Sequence, residues 1–323
     1  MLNKNMLNSQ NFGLARDDDE FAIQVLTGLS SSQKRLPCRF FYDKLGSQLF
    51  EEITQLPEYY PTRTETSILR AHAPEMVEDI PQGSVLVEFG SGSSLKTEIL
   101  LKQLQGLGAY VSIDVSHSAL QEAALRLSQR FPALDVRPIA ADFSYPVAMP
   151  ADLANRAKTG FFPGSTIGNL TPVEAQRLLR VFRAVLSPGG RLIVGIDLKK
   201  DLKTLISAYA DSAGVTAAFN LNLLSRINRE LGGDFDVRAF DHMAIYNQVH
   251  GRIEMHLVSL VDQVVTVRGR TFRFGIGETI HTESSYKYSV NQFRDMARAA
   301  GWQPRRVWTD RNAWFSVHEL VSV

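Results

Sequence analysis

Val87-Glu88-Phe89-Gly90-Ser91-Gly92-Ser93-Ser94 is the stretch on which the fold turns. Apolar β-formers run into two glycines two residues apart, and a helical pattern opens near Lys96, so the segment reads as strand, tight turn and helix. Glycine in such a turn lets a ligand approach the backbone, here at Gly90 and Gly92. A dinucleotide fingerprint requires a third glycine three residues after the second, and Leu95 stands there instead. A nicotinamide dehydrogenase is thereby disfavoured.

Working outward, short β-rich runs alternate with helical patterns. Ser84–Phe89, Ala109–Ile113, Val136–Ala140, Thr159–Phe162 and Arg191–Ile196 read as strands, and Lys96–Leu107, Ser118–Phe131 and Pro172–Leu186 as helices. Thr171-Pro172-Val173-Glu174 supplies a cap, a proline at the first helical position and a carboxylate to close a capping box. This alternation predicts an α/β fold with a mostly parallel, Rossmann-like sheet. After Asp197 it stops. Helical patterns at Asp201–Tyr209 and Thr216–Leu231 precede long β-rich stretches, Met243–Gln248, Arg252–Val267 and Thr271–Phe274, which read as an inserted α+β segment. A helix at Asn291–Ala300 and strands at Arg305–Thr309 and Trp314–Leu320 then rejoin the first sheet at its edge.

Acidic residues recur where open α/β sheets bind ligands, at the C-terminal ends of strands. Asp114 ends the second strand and can accept hydrogen bonds from both hydroxyls of a ribose. Asp142-Phe143 follows the third, where a carboxylate beside an aromatic face suits adenine. With the Gly90–Gly92 turn these features point to S-adenosylmethionine. The loop Gly164-Ser165-Thr166-Ile167-Gly168-Asn169-Leu170 follows the fourth strand. There Asn169 can accept a hydrogen bond from a substrate amine and orient its lone pair, which direct methyl displacement requires.

Thirty-five basic against thirty-four acidic side chains leave a formal charge of +1, without the basic excess of a nucleic-acid protein. Cys38, the only cysteine, excludes a disulfide framework and a multi-thiolate zinc site, and no metal is expected. Residues 1–20 read as a polar tail without a signal core, and no run of eighteen apolar residues occurs, so the expectation is a cytoplasmic protein without membrane contact.

Phe41-Tyr42-Asp43, Gly46-Ser47, Leu49-Phe50 and Leu56-Pro57-Glu58-Tyr59-Tyr60-Pro61-Thr62-Arg63-Thr64-Glu65 resemble the histidine N-alpha-methyltransferases of the route to ergothioneine. The resemblance continues through Glu88–Gly92 with Lys96, Gly164–Thr171, Gly214-Val215-Thr216, Phe219-Asn220, Ile227–Leu231, Asp234-Phe235-Asp236, Arg252-Ile253-Glu254-Met255, and Thr282-Glu283 with Ser285 and Lys287. It implies a class I methyltransferase domain over 63–200 and 287–323 and a substrate-binding domain over 21–62 and 201–286. It further implies S-adenosylmethionine contacts at Gly90, Gly92, Lys96, Asp114, Asp142 and Phe143, and L-histidine contacts at Tyr59, Asn169, Tyr209, Met255, Glu283 and Ser285.

The implied reaction is trimethylation of the histidine α-amine to hercynine by a monomeric enzyme. Glu283 and Ser285, two apart on an extended segment, would face the same way and hydrogen-bond imidazole nitrogens. Tyr42 is expected at the amine end, where it or water takes the proton. A relative acting on tryptophan or another aromatic amino acid is the nearest rival, and Glu283 argues against it. A silent S-adenosylmethionine-binding protein is a more distant one.

Overall fold

The computed structural model describes residues 20–92, 94–187 and 189–323, and these fall into two compact units. The expected polar tail lies outside the described residues except for Glu20, already in helix α1 (20–29). The first unit comprises the described residues up to Tyr60 together with Asp201–Ser285. The second comprises Pro61–Lys200 with Tyr286–Val323.

In the first unit, β1 (Lys34–Arg35) pairs in parallel with β11 (Thr279–Tyr286). The sheet order is β1-β11-β8-β7, with β7 (Phe240–Asn247) and β8 (Arg252–Ser259) antiparallel. The expected long run Arg252–Val267 is instead two strands. Ser259 Oγ donates to the carbonyl of Val261 at 2.8 Å and accepts from Gln263 Nε2 at 2.6 Å, and this local polar bonding turns the chain out of β8. The second piece, β9 (Gln263–Val267), forms a hairpin with β10 (Arg270–Phe274). Arg268 and Gly269 join them with φ of 50° and 74°, the two positive angles that a twist-matched two-residue turn demands. Helices α2 (Lys44–Gln55), α7 (Leu202–Ser207) and α8 (Val215–Leu231) complete the unit. Asp43 caps α2 through Gly46 N–H at 2.7 Å, and α8 buries Phe219, Leu223, Leu224 and Ile227.

In the second unit seven strands run in the order β12-β13-β6-β5-β2-β3-β4. They are β2 (Val85–Phe89), β3 (Ala109–Asp114), β4 (Val136–Ala140), β5 (Lys158–Phe162), β6 (Arg191–Asp197), β12 (Trp302–Thr309) and β13 (Phe315–Ser322). The first five pair in parallel, whereas β13 lies antiparallel to both β6 and β12. The late strands thus rejoin the sheet at its edge, as expected, and β13 runs antiparallel to its neighbours there.

Alternation within β2 sends Val85, Val87 and Phe89 to one face, against Leu178, Leu179 and Phe182 of α6 (Pro172–Leu186) and Phe293 of α9 (Val290–Ala299). Leu86 goes to the other, against Leu69 and Met76 of α3 (Tyr60–Val77), Leu100 of α4 (Thr97–Leu101) and Leu127 of α5 (His117–Arg130). Each such fully buried side chain contributes roughly 1.5–3 kcal/mol. The capping box forms as predicted, with Glu174 N–H donating to Thr171 Oγ1 and Thr171 N–H to Glu174 Oε2. Helix α4 stops well short of the expected Leu107: the chain turns at Lys102 and Gln103, and Gly106, with a φ of 74°, then leads it into β3.

Candidate active site

At the C-terminal end of β2, Gly90 and Gly92 have φ of 70° and 46°, angles that favour glycine. A Cβ on Gly90 would lie 3.2 Å from the Phe143 ring, whereas one on Gly92 would meet nothing within 4 Å. The turn therefore packs on Phe143 at one glycine and opens onto free space at the other. Asp114 holds it, accepting Gly92 N–H at 3.2 Å on Oδ2 and Ser116 N–H at 2.9 Å on Oδ1. A carboxylate has about four acceptor positions, so Asp114 keeps capacity for hydroxyl donors. Asp142 caps its own loop through Ser144 N–H at 2.8 Å, and the Phe143 ring meets Phe162 edge-on at 5.7 Å.

Lys96 is placed differently from a simple ligand contact. Its ammonium donates to the fully buried Glu65, which also takes Gly164 N–H at 2.9 Å on both oxygens. One carboxylate from α3 thus ties the turn after β2 to the loop after β5. Gly195 of β6 must be glycine beneath it, since a Cβ would come within 2.0 Å of Glu65 Oε1. Sequence reading missed Glu65 as a site residue, and its only signal was its place at the end of the quoted N-terminal run. Glu88, although within the turn motif, faces the core, taking hydrogen bonds from Thr97 Oγ1 at 2.6 Å and from the Tyr110 hydroxyl. Burial pushes its pKa up to about 7.

Asn169 closes a 3₁₀ turn, Thr166–Asn169, which the left-handed Ser165 begins. It is half-buried, and among the described residues its amide has no hydrogen-bond partner. Gly168 lets the turn pass the backbone of Tyr286, where a Cβ would sit 2.9 Å from the carbonyl oxygen.

The first unit gathers the remaining candidates. Tyr209 and Ser285 hydrogen-bond through their hydroxyls at 2.8 Å, and the Tyr59 ring meets that of Tyr209 edge-on at 6.3 Å. Phe50 continues this aromatic wall, 6.3 Å from Tyr59 and 5.5 Å from Tyr42. Met255 is buried in β8, and its carbonyl takes the Thr282 hydroxyl of β11 at 3.0 Å.

Local desolvation, then the Glu283 carboxylate and then Tyr59, Cys38 and Tyr209, hold the Tyr42 phenol well above its usual value of 10, although 42% of the residue is exposed. The same two leading causes push the Cys38 thiol up to about 12. Glu283 is therefore close to both. A phenol so raised favours its protonated form, and its ring packs against Phe50 and Phe219. Cys38, too, remains a thiol, as an inert cysteine should.

His242 and Asn220 were not singled out as site residues. His242 Nε2 donates to the Tyr209 carbonyl at 2.7 Å, which leaves Nδ1 to accept from Asn220 Nδ2 at 2.9 Å. They fix the main chain of Tyr209, a role that sequence spacing does not reveal.

The family described as histidine-specific methyltransferase, SAM-dependent, matches residues 21–322. The chain belongs to that family. It is 39% identical over 304 residues to the histidine N-alpha-methyltransferase of Mycolicibacterium smegmatis, covering 92% of this chain and 94% of that one. With the same enzyme of Mycobacterium tuberculosis it shares 40% over 312 residues, 94% and 96% of the two chains. Ergothioneine biosynthesis protein 1 of Neurospora crassa is 30% identical over 300 residues, 89% of this chain but 33% of the longer fungal one. The resemblance read from the motifs is thus a family membership. Among the described residues no helix is long and apolar enough to cross a membrane.

Proposed function

We propose that this family member transfers three methyl groups to the α-amine of L-histidine, forming hercynine. The observation that carries the reading is the hydrogen-bonded hydroxyl pair of Ser285 and Tyr209, with the Glu283 carboxylate two residues before Ser285 on β11. Imidazole offers one N–H donor and one acceptor nitrogen, so a carboxylate paired with a hydroxyl matches both ends. An indole has no acceptor to match.

Fit to the methyl donor rests on the open turn at Gly92, the spare acceptor capacity of Asp114 and the aromatic face of Phe143. S-adenosylmethionine supplies an electrophilic sulfonium methyl group to an amine lone pair. In the first two transfers Asn169 accepts a hydrogen bond from the amine through its amide oxygen and aims the lone pair; the dimethylated amine of the third has no N–H to give. Glu65 neutralises Lys96, so no uncompensated ammonium faces a cationic donor. Before each transfer the amine loses a proton, which passes to water, because Tyr42 holds its own. Tyr42 and Phe50 present aromatic walls that tolerate the growing methylammonium without requiring a donor from it.

The test is mass spectrometry of the protein incubated with S-adenosylmethionine and an equimolar mixture of the twenty amino acids, with Glu283→Ala in parallel. Three methyl groups on histidine alone, lost in the variant, are expected. Methylation of another amino acid sinks the substrate assignment, and no product in the wild type sinks the catalytic one.

A further inference from the structure

Glu254, His256 and His281 take no part in the reaction derived above. Glu254 and His256 stand two apart on β8 and so share a face, while His281 comes from the neighbouring β11. The two imidazole rings stack at 5.0 Å and 23°, and one ligand-capable atom from each of the three residues lies within 4.8 Å of the others. Two positions on one strand and one on the next make a rigid three-point chelate, because the backbone ladder fixes all three.

Outer hydrogen bonds orient two of the three side chains. Glu254 Oε1 accepts from Arg252 Nε at 2.7 Å and Asn247 Nδ2 at 2.9 Å, leaving Oε2 facing His256 Nε2 at 3.1 Å. His281 Nε2 lies 2.9 Å from the Glu283 carbonyl, which can only accept, so Nε2 carries the proton and Nδ1 a lone pair. Carboxylates and imidazoles that bind metals are oriented by such outer partners. His256 Nδ1 is buried and has no hydrogen-bond partner, a state that ordinarily costs about 1–3 kcal/mol.

We propose that Glu254, His256 and His281 bind a divalent transition-metal ion of the zinc class through two nitrogens and one oxygen. Such a donor set needs no thiolate, so the single cysteine does not exclude it. The ion takes the place of the Nε2 proton that His256 shares with Glu254 Oε2, and it fastens β8 to β11. It is structural, and its binding does not depend on which amino acid is methylated.

Chelator-treated protein is titrated with Zn²⁺ by calorimetry, alongside His256→Ala, His281→Gln and the exposed-site control His250→Ala, each first checked for a wild-type circular dichroism spectrum. One equivalent is expected to bind wild type and His250→Ala, with affinity at least about tenfold weaker in the other two. Failure of the wild type to bind, or equal binding in all four, overturns the proposal. If either cluster variant does not fold, Co²⁺ added to wild type decides. Absorption bands of a cobalt site with imidazole ligands support the proposal, and a spectrum of hydrated cobalt overturns it.

Discussion

Removing the Asn169 amide, as Asn169→Ala, is expected to cut turnover by about 10- to 100-fold while histidine affinity changes less, because alignment of a lone pair matters most at the transition state. Steady-state kinetics at varied histidine concentration measures the split, and a rise in KM with unchanged kcat would refute the role. A pH-dependent pair makes a second prediction. Burial, with Arg294 adding to it, pushes His318 down to about 3 from 6.5, so its stability contribution is full above 6.5 and drains away as pH falls toward 3. Glu88, raised from 4.5 to about 7 by burial, contributes fully below 4.5 and loses that contribution as pH rises through 7. Between those limits the two oppose each other. From pH 6.5 down to 4.5, Glu88→Gln should therefore lose stability relative to wild type by up to about 1.4 kcal/mol per pH unit. Urea midpoints across that range check this, and parallel profiles would contradict it. Neither group's environment could be read from sequence, since burial of His318 and Glu88 arises from strands and helices far along the chain. The tyrosines and Glu283 were legible only through the motif they share with a family.

Among elements, β6 depends on a side chain that it lacks at Gly195. Gly195→Ala places a methyl group against Glu65 and so acts on α3, on Lys96 and on the loop after β5 together. Overpacking of this kind costs about 1–3 kcal/mol. Thermal unfolding should show that loss, and calorimetry should show weaker S-adenosylmethionine binding. Unchanged cofactor affinity would mean that the Glu65 link does not support the turn. The parallel strands were legible because each is a short apolar run bounded by turn residues. By contrast, α2 and α3 carry no comparably separate pattern and were read only as family sequence. The end of α4 at Leu101 had no glycine or proline beside it to announce it.

For the whole molecule, the inserted segment leaves and re-enters the second unit along adjoining paths. Lys199 N–H donates to the Tyr288 carbonyl at 3.0 Å, and Lys200 and Lys287 both bond Asp197 at 2.6 Å. A chain begun at Pro61, with Lys200 joined to Tyr286 through a short glycine linker, is therefore expected to fold and bind S-adenosylmethionine without methylating histidine. Loss of a cooperative unfolding transition would count against independent folding of that unit. The order of the sheet has a further consequence, in the timing of synthesis. β13 sits between β6 and β12 although it is made after both, so two strand edges stay bare until residue 322 has left the ribosome. β11 likewise separates β1 from β8. The nascent chain thus carries two unfinished sheets through most of translation, with edges that invite pairing between neighbouring polypeptides. Its yield in a cell should follow elongation rate and chaperone supply more closely than the stability of the finished protein.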